Sequence, residues 1–251
     1  MLRPKNNKTK PRIKHRPFLK WAGGKFRLTD DLNRVFPKRK QCLIEPFVGA
    51  GAVFLNSHFE RYILADINPD LINLFNIVKE NVDAYIEACK PIFFAENANT
   101  AGYYYAQRDA FNQSSDPFER SVLFLYLNRF GFNGLCRYNS KNEFNVPFGA
   151  YKTHYFPEDE LRYFAHKAQS AVFLCADFQQ TFELADKHSV IYCDPPYAPL
   201  PQDTNFTGYA GNAFGLEHQK NLAECAKKAQ KEKQISVVIS NHDTKFTREI
   251  Y

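Results

Sequence analysis

Residues 42–59 constrain the fold more than any other stretch of the sequence. Residues 42–47 have the length and apolar composition of a buried strand. They lead into V-G-A-G at 48–51, and a helical pattern follows over 52–59. Strand, glycine turn and helix in this order are typical of the first unit of a nucleotide-binding α/β sheet, because glycines let a ligand approach the backbone. Phe54 replaces the third glycine of G-x-G-x-x-G, which argues against a pyrophosphate and therefore against NAD.

Four further apolar runs have the length of strands: residues 61–65, 171–175, 189–193 and 235–240. The first of these ends in Asp66, a position from which a carboxylate can accept hydrogen bonds from ribose hydroxyls. Capping of the next helix is the alternative role for this side chain. Asp177 and Phe178 follow the next run, where an acid and an aromatic ring could bind an adenine amine and ring edge. These positions together favour a nucleoside-containing ligand.

The strand over residues 189–193 ends in Asp194-Pro195-Pro196-Tyr197. Prolines cannot donate to a strand ladder, so the strand stops there. The Asp194 carboxylate and the Pro195 carbonyl are two neighbouring acceptors that suit both hydrogens of an –NH2 group, and Tyr197 can stack on a flat ring. Such acceptors would favour a tetrahedral amine nitrogen whose lone pair faces an electrophile. Taken alone, the motif is equally compatible with a proline-rich turn that carries a capping aspartate.

Positive charge is concentrated at the N-terminus. Residues 1–29 hold ten of the 33 Lys and Arg and none of the 27 Asp and Glu, so the rest of the chain is net negative. We predict that residues 1–16 form a flexible basic arm, which either contacts nucleic-acid phosphates or is a solvated tail. Residues 17–25, P-F-L-K-W-A-G-G-K, do not fit a phosphate-binding loop, because Leu19 occupies its first glycine position. They predict a tight turn suited to a cationic or aromatic ligand.

Residues 68–156 interrupt the alternation of strands and helices. Helical patterns cover 70–79, 82–89, 101–112 and 118–130. Residues 132–147 then predict a β-hairpin, in which aromatic side chains alternate with Arg, Lys and Asn. Aromatic wedges with such donors suit the reading of base edges and local unstacking of a duplex. The alternative is a small satellite core with an exposed hairpin.

Several classes of protein are excluded by the composition. No apolar run approaches the ~18 residues that a membrane span requires. The six cysteines form no C-x-x-C pair and the histidines no H-x-x-x-H pair, so we expect no metal site and free thiols in a reducing cytoplasm. Residues 199–215 are rich in Pro, Gly, Asn and Thr and are long enough to form a mobile lid. We expect a monomer.

Five motifs in a fixed order resemble one family. They are F-L-K-W-A-G-G-K, E-P-F-V-G-A-G, A-D-I-N, N-G-L-C-R-Y-N and Y-C-D-P-P-Y-A-P-L. Together they resemble the Dam type of DNA adenine-N6 methyltransferases, the D12 class that recognises GATC, from about Phe18 to the C-terminus. The resemblance implies an α/β fold with a Rossmann-like mixed sheet, formed by residues 17–67 and 157–251. It also implies an inserted, mostly helical target-recognition domain, residues 68–156, that carries the hairpin.

The resemblance implies S-adenosylmethionine as methyl donor, double-stranded DNA as substrate, base flipping and direct in-line transfer. The implied catalytic residues are Asp194, Pro195, Pro196 and Tyr197. The implied cofactor-binding residues are Trp21, Ala22, Gly23, Lys25, Phe47, Gly49, Gly51, Asp66, Asp177, Phe178 and Asp194. The implied DNA-binding residues are Lys20, Arg129, Phe132, Asn133, Leu135, Arg137, Asn139 and Tyr151. Among these, Arg137 would read a guanine, and Lys20 with Tyr151 would contact the first base pair.

Three features depart from the family pattern. Phe132 stands where relatives often have Tyr, although an apolar wedge should still unstack the duplex. Ala150 stands where relatives can have Arg, so one phosphate contact is expected to be missing. The family fold has a further helix and an antiparallel strand pair beyond Tyr251, so we expect a truncated sequence.

Two alternatives remain open at this stage. The first is an amino-methyltransferase that acts on RNA or on cytosine N4. The second is a catalytically impaired DNA-binding protein of the same fold. The sequence also leaves open a solitary role or a partnership with a restriction enzyme.

Overall fold

Five short parallel strands form one sheet in the computed structural model, which describes residues 13–198 and 214–251. The strands are β1 Cys42–Glu45, β2 Arg61–Asp66, β3 Ala171–Cys175, β4 Ser189–Cys193 and β5 Ser236–Ile239. Their order across the sheet is β3-β2-β1-β4-β5, and every neighbouring pair is parallel. The predicted Rossmann-like α/β fold is therefore confirmed. The antiparallel strand that a mixed sheet requires is not among the described residues.

Ten α-helices occur in the described part of the chain. They are α1 Thr29–Val35, α2 Ala52–Asn56, α3 Pro69–Glu80, α4 Val82–Phe93, α5 Ala101–Gln113, α6 Pro117–Phe130, α7 Glu158–Ala168, α8 Phe178–Glu183, α9 Leu216–Lys233 and α10 Lys245–Ile250. The four helices predicted between residues 70 and 130 are present with small differences in their ends. The helix predicted over 52–59 is shorter, because the backbone becomes extended at Ser57.

Two helices were not predicted, although both begin with a local signal. Helix α7 follows Pro157 and has three acidic residues in its first turn, which favour the positive end of a helix. Helix α8 begins with a capping box formed by Asp177 and Gln180. The helix α8 is only six residues long, so its apolar periodicity is too short to be recognised.

The two central strands position the site. Strands β1 and β4 are buried along their whole length, because helices cover both faces of the sheet. Phe54, Phe75 and Phe164 pack on one face, whereas Phe182 and Leu222 pack on the other. Strand order reverses between β1 and β4, so that the chain segments after these strands lie on either side of one crevice.

The predicted β-hairpin is reduced in the structure to two isolated antiparallel bridges. Gly131 pairs with Phe148, and Tyr138 pairs with Phe144. A 3-10 turn, Phe132–Gly134, replaces the start of the first predicted strand. Backbone hydrogen bonds also join the two arms of this segment, from the N–H groups of Phe132, Asn139 and Asn145 to the carbonyls of Pro147, Glu143 and Arg137, respectively. The predicted hairpin is therefore present in an irregular form. The segment 131–148 is called the reading loop below.

Parts of two predicted segments lie outside the described residues. Of the predicted basic arm, only residues 13–16 are described, and they pack on the protein. The His15 ring stacks on Tyr163 with 3.4 Å between ring centroids, and the His15 N–H donates to Asn56 Oδ1 at 2.9 Å. Of the predicted lid, residues 199–213 lie outside the described part of the chain.

Candidate active site

Asp194 lies at the carboxyl end of β4, where it faces a lysine from the N-terminal turn. Lys25 Nζ lies 2.7 Å from Asp194 Oδ1, 4.8 Å from the centroid of the Tyr197 ring, and donates a hydrogen bond to the Gly23 carbonyl at 2.7 Å. The side chains of Lys25 and Asp194 are 10% and 20% exposed. The structure therefore brings together three residues of the predicted site from opposite ends of the chain.

Burial dominates the electrostatics of this pair. It raises the pKa of Asp194, and the Lys25 ammonium offsets only part of that rise. Burial lowers the pKa of Lys25, but hydrogen bonding and attraction to Asp194 outweigh it, so the net pKa of Lys25 is raised. Asp194 Oδ1 is buried and faces the Lys25 ammonium. This oxygen can accept a further N–H.

The glycine turn after β1 is built around Asp66. Its Oδ2 accepts a hydrogen bond from the Gly49 N–H at 3.2 Å, and its Oδ1 accepts one from the Asn68 N–H at 3.0 Å. Asn68, rather than Asp66, caps α3, because its side chain accepts from the N–H groups of Asp70 and Leu71. The capping alternative for Asp66 is therefore wrong. Burial raises the pKa of Asp66.

Gly49 is required by its neighbour Trp21. Its φ is +48°, and a Cβ at this position would lie 2.8 Å from Trp21 Nε1. The indole thus closes directly over the backbone of the turn. Ala22 and Gly23, the next two residues, are exposed, whereas Gly51 is buried beneath the turn. Trp21 therefore covers the turn, and Val48, Gly49 and Ala50 are buried along with Gly51.

An aromatic pair lies on the other side of the turn. The rings of Phe47 and Phe178 stack with 5.8 Å between centroids, and Phe214 contacts both edge-on. Asp177 stands beside them, with its Oδ1 accepting from the Gln180 N–H at 2.9 Å. The site thus combines two strand-end carboxylates, an aromatic pair and a close-packed glycine turn. This arrangement fits a nucleoside with a charged tail.

Lys20 lies in a second cluster, with Arg129 and Tyr151. Lys20 Nζ donates to the Arg129 carbonyl at 2.7 Å and lies 3.6 Å from the centroid of the Tyr151 ring. The side chain of Asn128 bonds both the N–H and the carbonyl of Lys20 at 2.8 Å. Burial, followed by repulsion from Arg129, lowers the pKa of Lys20 to about 8. Burial also lowers the pKa of Arg129, whose Nε has no partner among the described residues.

The reading loop is packed against this lysine. Gly134 has a φ of +60°, and a Cβ there would lie 2.2 Å from Lys20 Cβ. Phe132 is 47% exposed, and Asn133 adopts a left-handed conformation with φ of 53°. Leu135 is partly buried against the core. The loop and Lys20 therefore share one surface.

Two side chains of the predicted DNA set already make contacts within the loop. Arg137 Nε donates to Asn145 Oδ1 at 2.7 Å, and its Nη2 donates to the Asn145 carbonyl at 3.2 Å, although the side chain is exposed. Asn139 Oδ1 accepts from the N–H groups of Lys141 and Glu143 at 2.9 and 3.0 Å. Arg137 is therefore pre-oriented, whereas Asn139 holds the turn at the tip of the loop.

The reading loop is fastened to α3, next to Asp66. Tyr138 donates to Asp70 Oδ2 at 2.7 Å, and Asp70 also pairs with Arg120 at 2.8 Å. Asn68 Nδ2 donates to Cys136 Sγ at 3.2 Å. These contacts fix the distance between the reading loop and the end of β2.

A match to a family model shows which family the chain belongs to. The model of the D12 class N6 adenine-specific DNA methyltransferases matches residues 21–251. The chain belongs to this family. It is 82% identical to the DNA adenine methylase of Haemophilus influenzae over 251 residues, which cover 100% of this chain and 88% of that protein. It is 59% identical to those of Escherichia coli and Vibrio cholerae over 238 residues, covering 95% of this chain and 84% and 85% of theirs.

The protein is therefore an enzyme that methylates adenine at N6 in DNA. Family membership implies a methyl donor and a DNA substrate. Among residues 13–198 and 214–251, no helix is long and apolar enough to cross a membrane. The same residues contain no group of three or more His, Cys, Asp or Glu that could hold a metal ion.

Three residues beside Tyr197 were missed by sequence reasoning. Gln219 on α9 and Asn241 with His242 after β5 contact the segment around Tyr197. A signal existed for two of them, because Gln219 lies on the apolar face of an amphipathic helix and Asn241 follows a strand. Neither signal indicates a partner, so the roles could be found only from the coordinates.

Proposed function

We propose that this methyltransferase transfers a methyl group from S-adenosylmethionine to N6 of adenine in GATC sites of duplex DNA. The flipped adenine would lie between Asp194, Pro195 and Tyr197. The observation that carries the proposal is the position of the Lys25 ammonium, a nitrogen with N–H donors beside both the Asp194 carboxylate and the Tyr197 ring. An adenine amine needs the same two neighbours, an acceptor in its plane and an aromatic face.

The crevice after β1 would hold the cofactor. Asp66 would accept hydrogen bonds from the ribose, and Asp177 with Phe178 would hold the adenine ring. Trp21, Ala22, Gly23 and Lys25 would border the cofactor, while Phe47, Gly49 and Gly51 would lie along its methionine part. S-adenosylmethionine, when bound, supplies an electrophilic methyl group on a sulfonium.

The residues after β4 would prepare the target amine. The Asp194 carboxylate and the Pro195 carbonyl would each accept one N6 hydrogen, which favours a tetrahedral nitrogen with its lone pair directed at the methyl group. Asp194 would act through hydrogen bonding and charge rather than as a strong base. The amine becomes acidic only after methylation, so its proton can leave late. Pro196 would keep the turn rigid, and Tyr197 would stack on the base.

The surface formed by Lys20 and the reading loop would select the DNA site. Arg137 would bind a guanine edge through two hydrogen bonds, the commonest specific contact in the major groove. Phe132 would insert between base pairs and favour flipping of the adenine by about 180°. Lys20 with Tyr151 would contact the first base pair. Arg129, Asn133, Leu135 and Asn139 would complete the interface.

These proposed roles assign a function to each part of the chain. Residues 68–156 would form the target-recognition domain, and residues 17–67 with 157–251 the catalytic domain. The arm over residues 1–16 would add phosphate contacts. We place the enzyme in the cytoplasm as a monomer on DNA, in keeping with six free cysteines.

The experiment is methylation of unmethylated duplex DNA with labelled S-adenosylmethionine, followed by nucleoside analysis and site mapping. We expect label in N6-methyladenine at GATC. Label in adenines outside GATC would retain the chemistry but reject the assignment of the reading loop. Label in N4-methylcytosine, or preferential labelling of RNA, would reject the proposed substrate.

A further inference from the structure

Two side-chain amides, of which one is buried and one half-buried, bracket Tyr197. Gln219 on α9 is 1% exposed, and its Nε2 donates to the Pro196 carbonyl at 2.7 Å. Asn241 follows β5, and its Oδ1 accepts from the Ala198 N–H at 2.9 Å. Asn241 Nδ2 donates to Gln219 Oε1 at 2.8 Å, so that the two side chains form one hydrogen-bonded chain. This chain holds the backbone immediately before and immediately after Tyr197.

Two further side chains complete the arrangement. His242 Nδ1 lies 2.8 Å from the Ala198 carbonyl, to which it must donate because a carbonyl only accepts. The His242 ring meets the Tyr197 ring edge-on with 4.9 Å between centroids. Tyr251 donates to Gln219 Oε1 at 3.0 Å. Each polar atom of the Gln219 amide therefore has a partner.

The sequence of the turn explains why side chains are needed. Pro195 and Pro196 have no N–H, so two consecutive residues offer no donor to a ladder or a helix. The backbone of the turn can be held only through its carbonyls and through the N–H groups that follow, those of Tyr197 and Ala198. Gln219 takes the Pro196 carbonyl and Asn241 takes the Ala198 N–H. Side chains from α9 and from the segment after β5 thus hold this turn in place.

We propose that Gln219 and Asn241 are positioning residues for methyl transfer, which hold Tyr197 at the orientation needed to stack on the flipped adenine. The inference rests on the proposed role of Tyr197. The amide pair would contact neither substrate nor cofactor, and it would act on the rate of the reaction rather than on binding. Loss of such support shifts a contacting group by a fraction of an ångström to an ångström, which can lower kcat by ~10–100-fold.

The test compares Gln219→Met, Gln219→Glu and Tyr85→Phe in the full chain. Gln219→Met keeps the length of the side chain but removes every hydrogen bond to its partners. Tyr85→Phe is the matched stability control, because it removes a buried hydrogen bond, from Tyr85 to the Ser121 carbonyl at 2.8 Å, between α4 and α6. For each variant, kcat, KM for DNA, KM for S-adenosylmethionine and the melting temperature are measured from pH 6 to pH 9.

We expect Gln219→Met to lower kcat by about 10–100-fold with both KM values within about threefold of the wild type. Tyr85→Phe should lower the melting temperature without changing kcat. The kcat of Gln219→Glu should exceed the kcat of Gln219→Met most clearly at pH 6, because a protonated carboxyl can donate to the Pro196 carbonyl as the amide does. Wild-type kcat in Gln219→Met, or no advantage of Gln219→Glu over it at pH 6, would overturn the proposal.

Two further variants secure the interpretation. If Gln219→Met does not fold, Asn241→Asp tests the same hydrogen-bonded pair with a smaller change. This variant keeps the acceptor for the Ala198 N–H and loses only the donor to Gln219. A wild-type kcat in this variant at pH 9 would then overturn the proposal. Tyr197→Ala separates the two levels of inference. Full activity of Tyr197→Ala would reject the proposed role of Tyr197, whereas an inactive Tyr197→Ala beside a fully active Gln219→Met would reject only the positioning role.

Discussion

Lys25 Nζ lies 2.7 Å from Asp194 Oδ1, so the carboxylate proposed to bind the target amine is already paired with a cation. The two residues are 169 positions apart, and they meet because the turn before Lys25 folds across the end of β4. The ammonium lowers the pKa of Asp194, whereas burial raises it more. Lys25 therefore opposes the rise in the pKa of Asp194 that burial causes.

Replacement of Lys25 by Met should shift the acid limb of the pH–rate profile. The cation that opposes the burial-induced rise is lost, so the pKa of Asp194 should rise further. A carboxylate is protonated below its pKa, and the protonated form accepts the amine less well, so activity should fall at a higher pH than in the wild type. The measurement is kcat against pH at saturating S-adenosylmethionine. Lys25→Arg retains a cation and should keep the acid limb near that of the wild type; identical profiles for all three proteins would contradict this role.

Replacement of Asp194 by Asn should separate catalysis from DNA binding. The amide offers one acceptor oxygen but no charge, so we expect kcat to fall by at least ~10²–10³-fold, as when a preorganised group is removed. DNA affinity should change little, because the proposed contacts to phosphates and to the other bases of the site lie elsewhere. Single-turnover methylation and equilibrium binding measure the two effects. Asp186→Asn, which weakens a surface pair with Arg61, is the control, and near-wild-type turnover of Asp194→Asn would remove Asp194 from the mechanism.

Local signals explain why much of the catalytic crevice could be predicted from the sequence. The run over 42–47, the glycines after it and the helix that follows depend on neighbours within a few residues, so their pattern predicts strand, turn and helix. The positions of Asp66 and Asp194 then follow from topology, because the carboxyl ends of parallel strands share one edge. The same reasoning predicts that Asp177 lies on that edge.

Contacts between distant residues explain what could not be predicted. The reading loop is tied to α3 by Tyr138, which donates to Asp70 at a separation of 68 positions. Its local sequence alternates like a hairpin, but the pattern alone does not show that the 3-10 turn Phe132–Gly134 interrupts the pairing. Gln219 is found on an apolar helix face, yet only the folded chain reveals its partner at Pro196.

Lys20 should give the enzyme a pH-dependent reading of the first base pair. Burial and Arg129 lower the pKa of Lys20 to about 8 in the free protein, so the ammonium is lost as the pH rises through that value. A neutral amine loses the charge-assisted part of its hydrogen bond to a guanine. Discrimination against a changed first base pair, measured as the ratio of kcat/KM values, should therefore decline from pH 7 to pH 9. Lys20→Arg remains charged throughout and should show a flat ratio; a flat ratio in the wild type would rule out Lys20 as the titrating reader.

Arg137 should determine discrimination at one base pair and have little effect on discrimination at the others. Its guanidinium is exposed and pre-oriented by Asn145, with hydrogen bonds of 2.7 and 3.2 Å, so its removal exposes no buried group. We expect Arg137→Ala to reduce discrimination at the guanine it reads by about 1–3 kcal/mol, with little change at the other three positions. Arg137→Lys should recover only part of this, because a lysine cannot form the two-pronged contact with a guanine. The comparison requires kcat/KM on a full set of singly substituted GATC sites, together with unfolding curves. Equal losses at every base pair would identify Arg137 as a phosphate contact, and an unchanged site preference would exclude it from the interface.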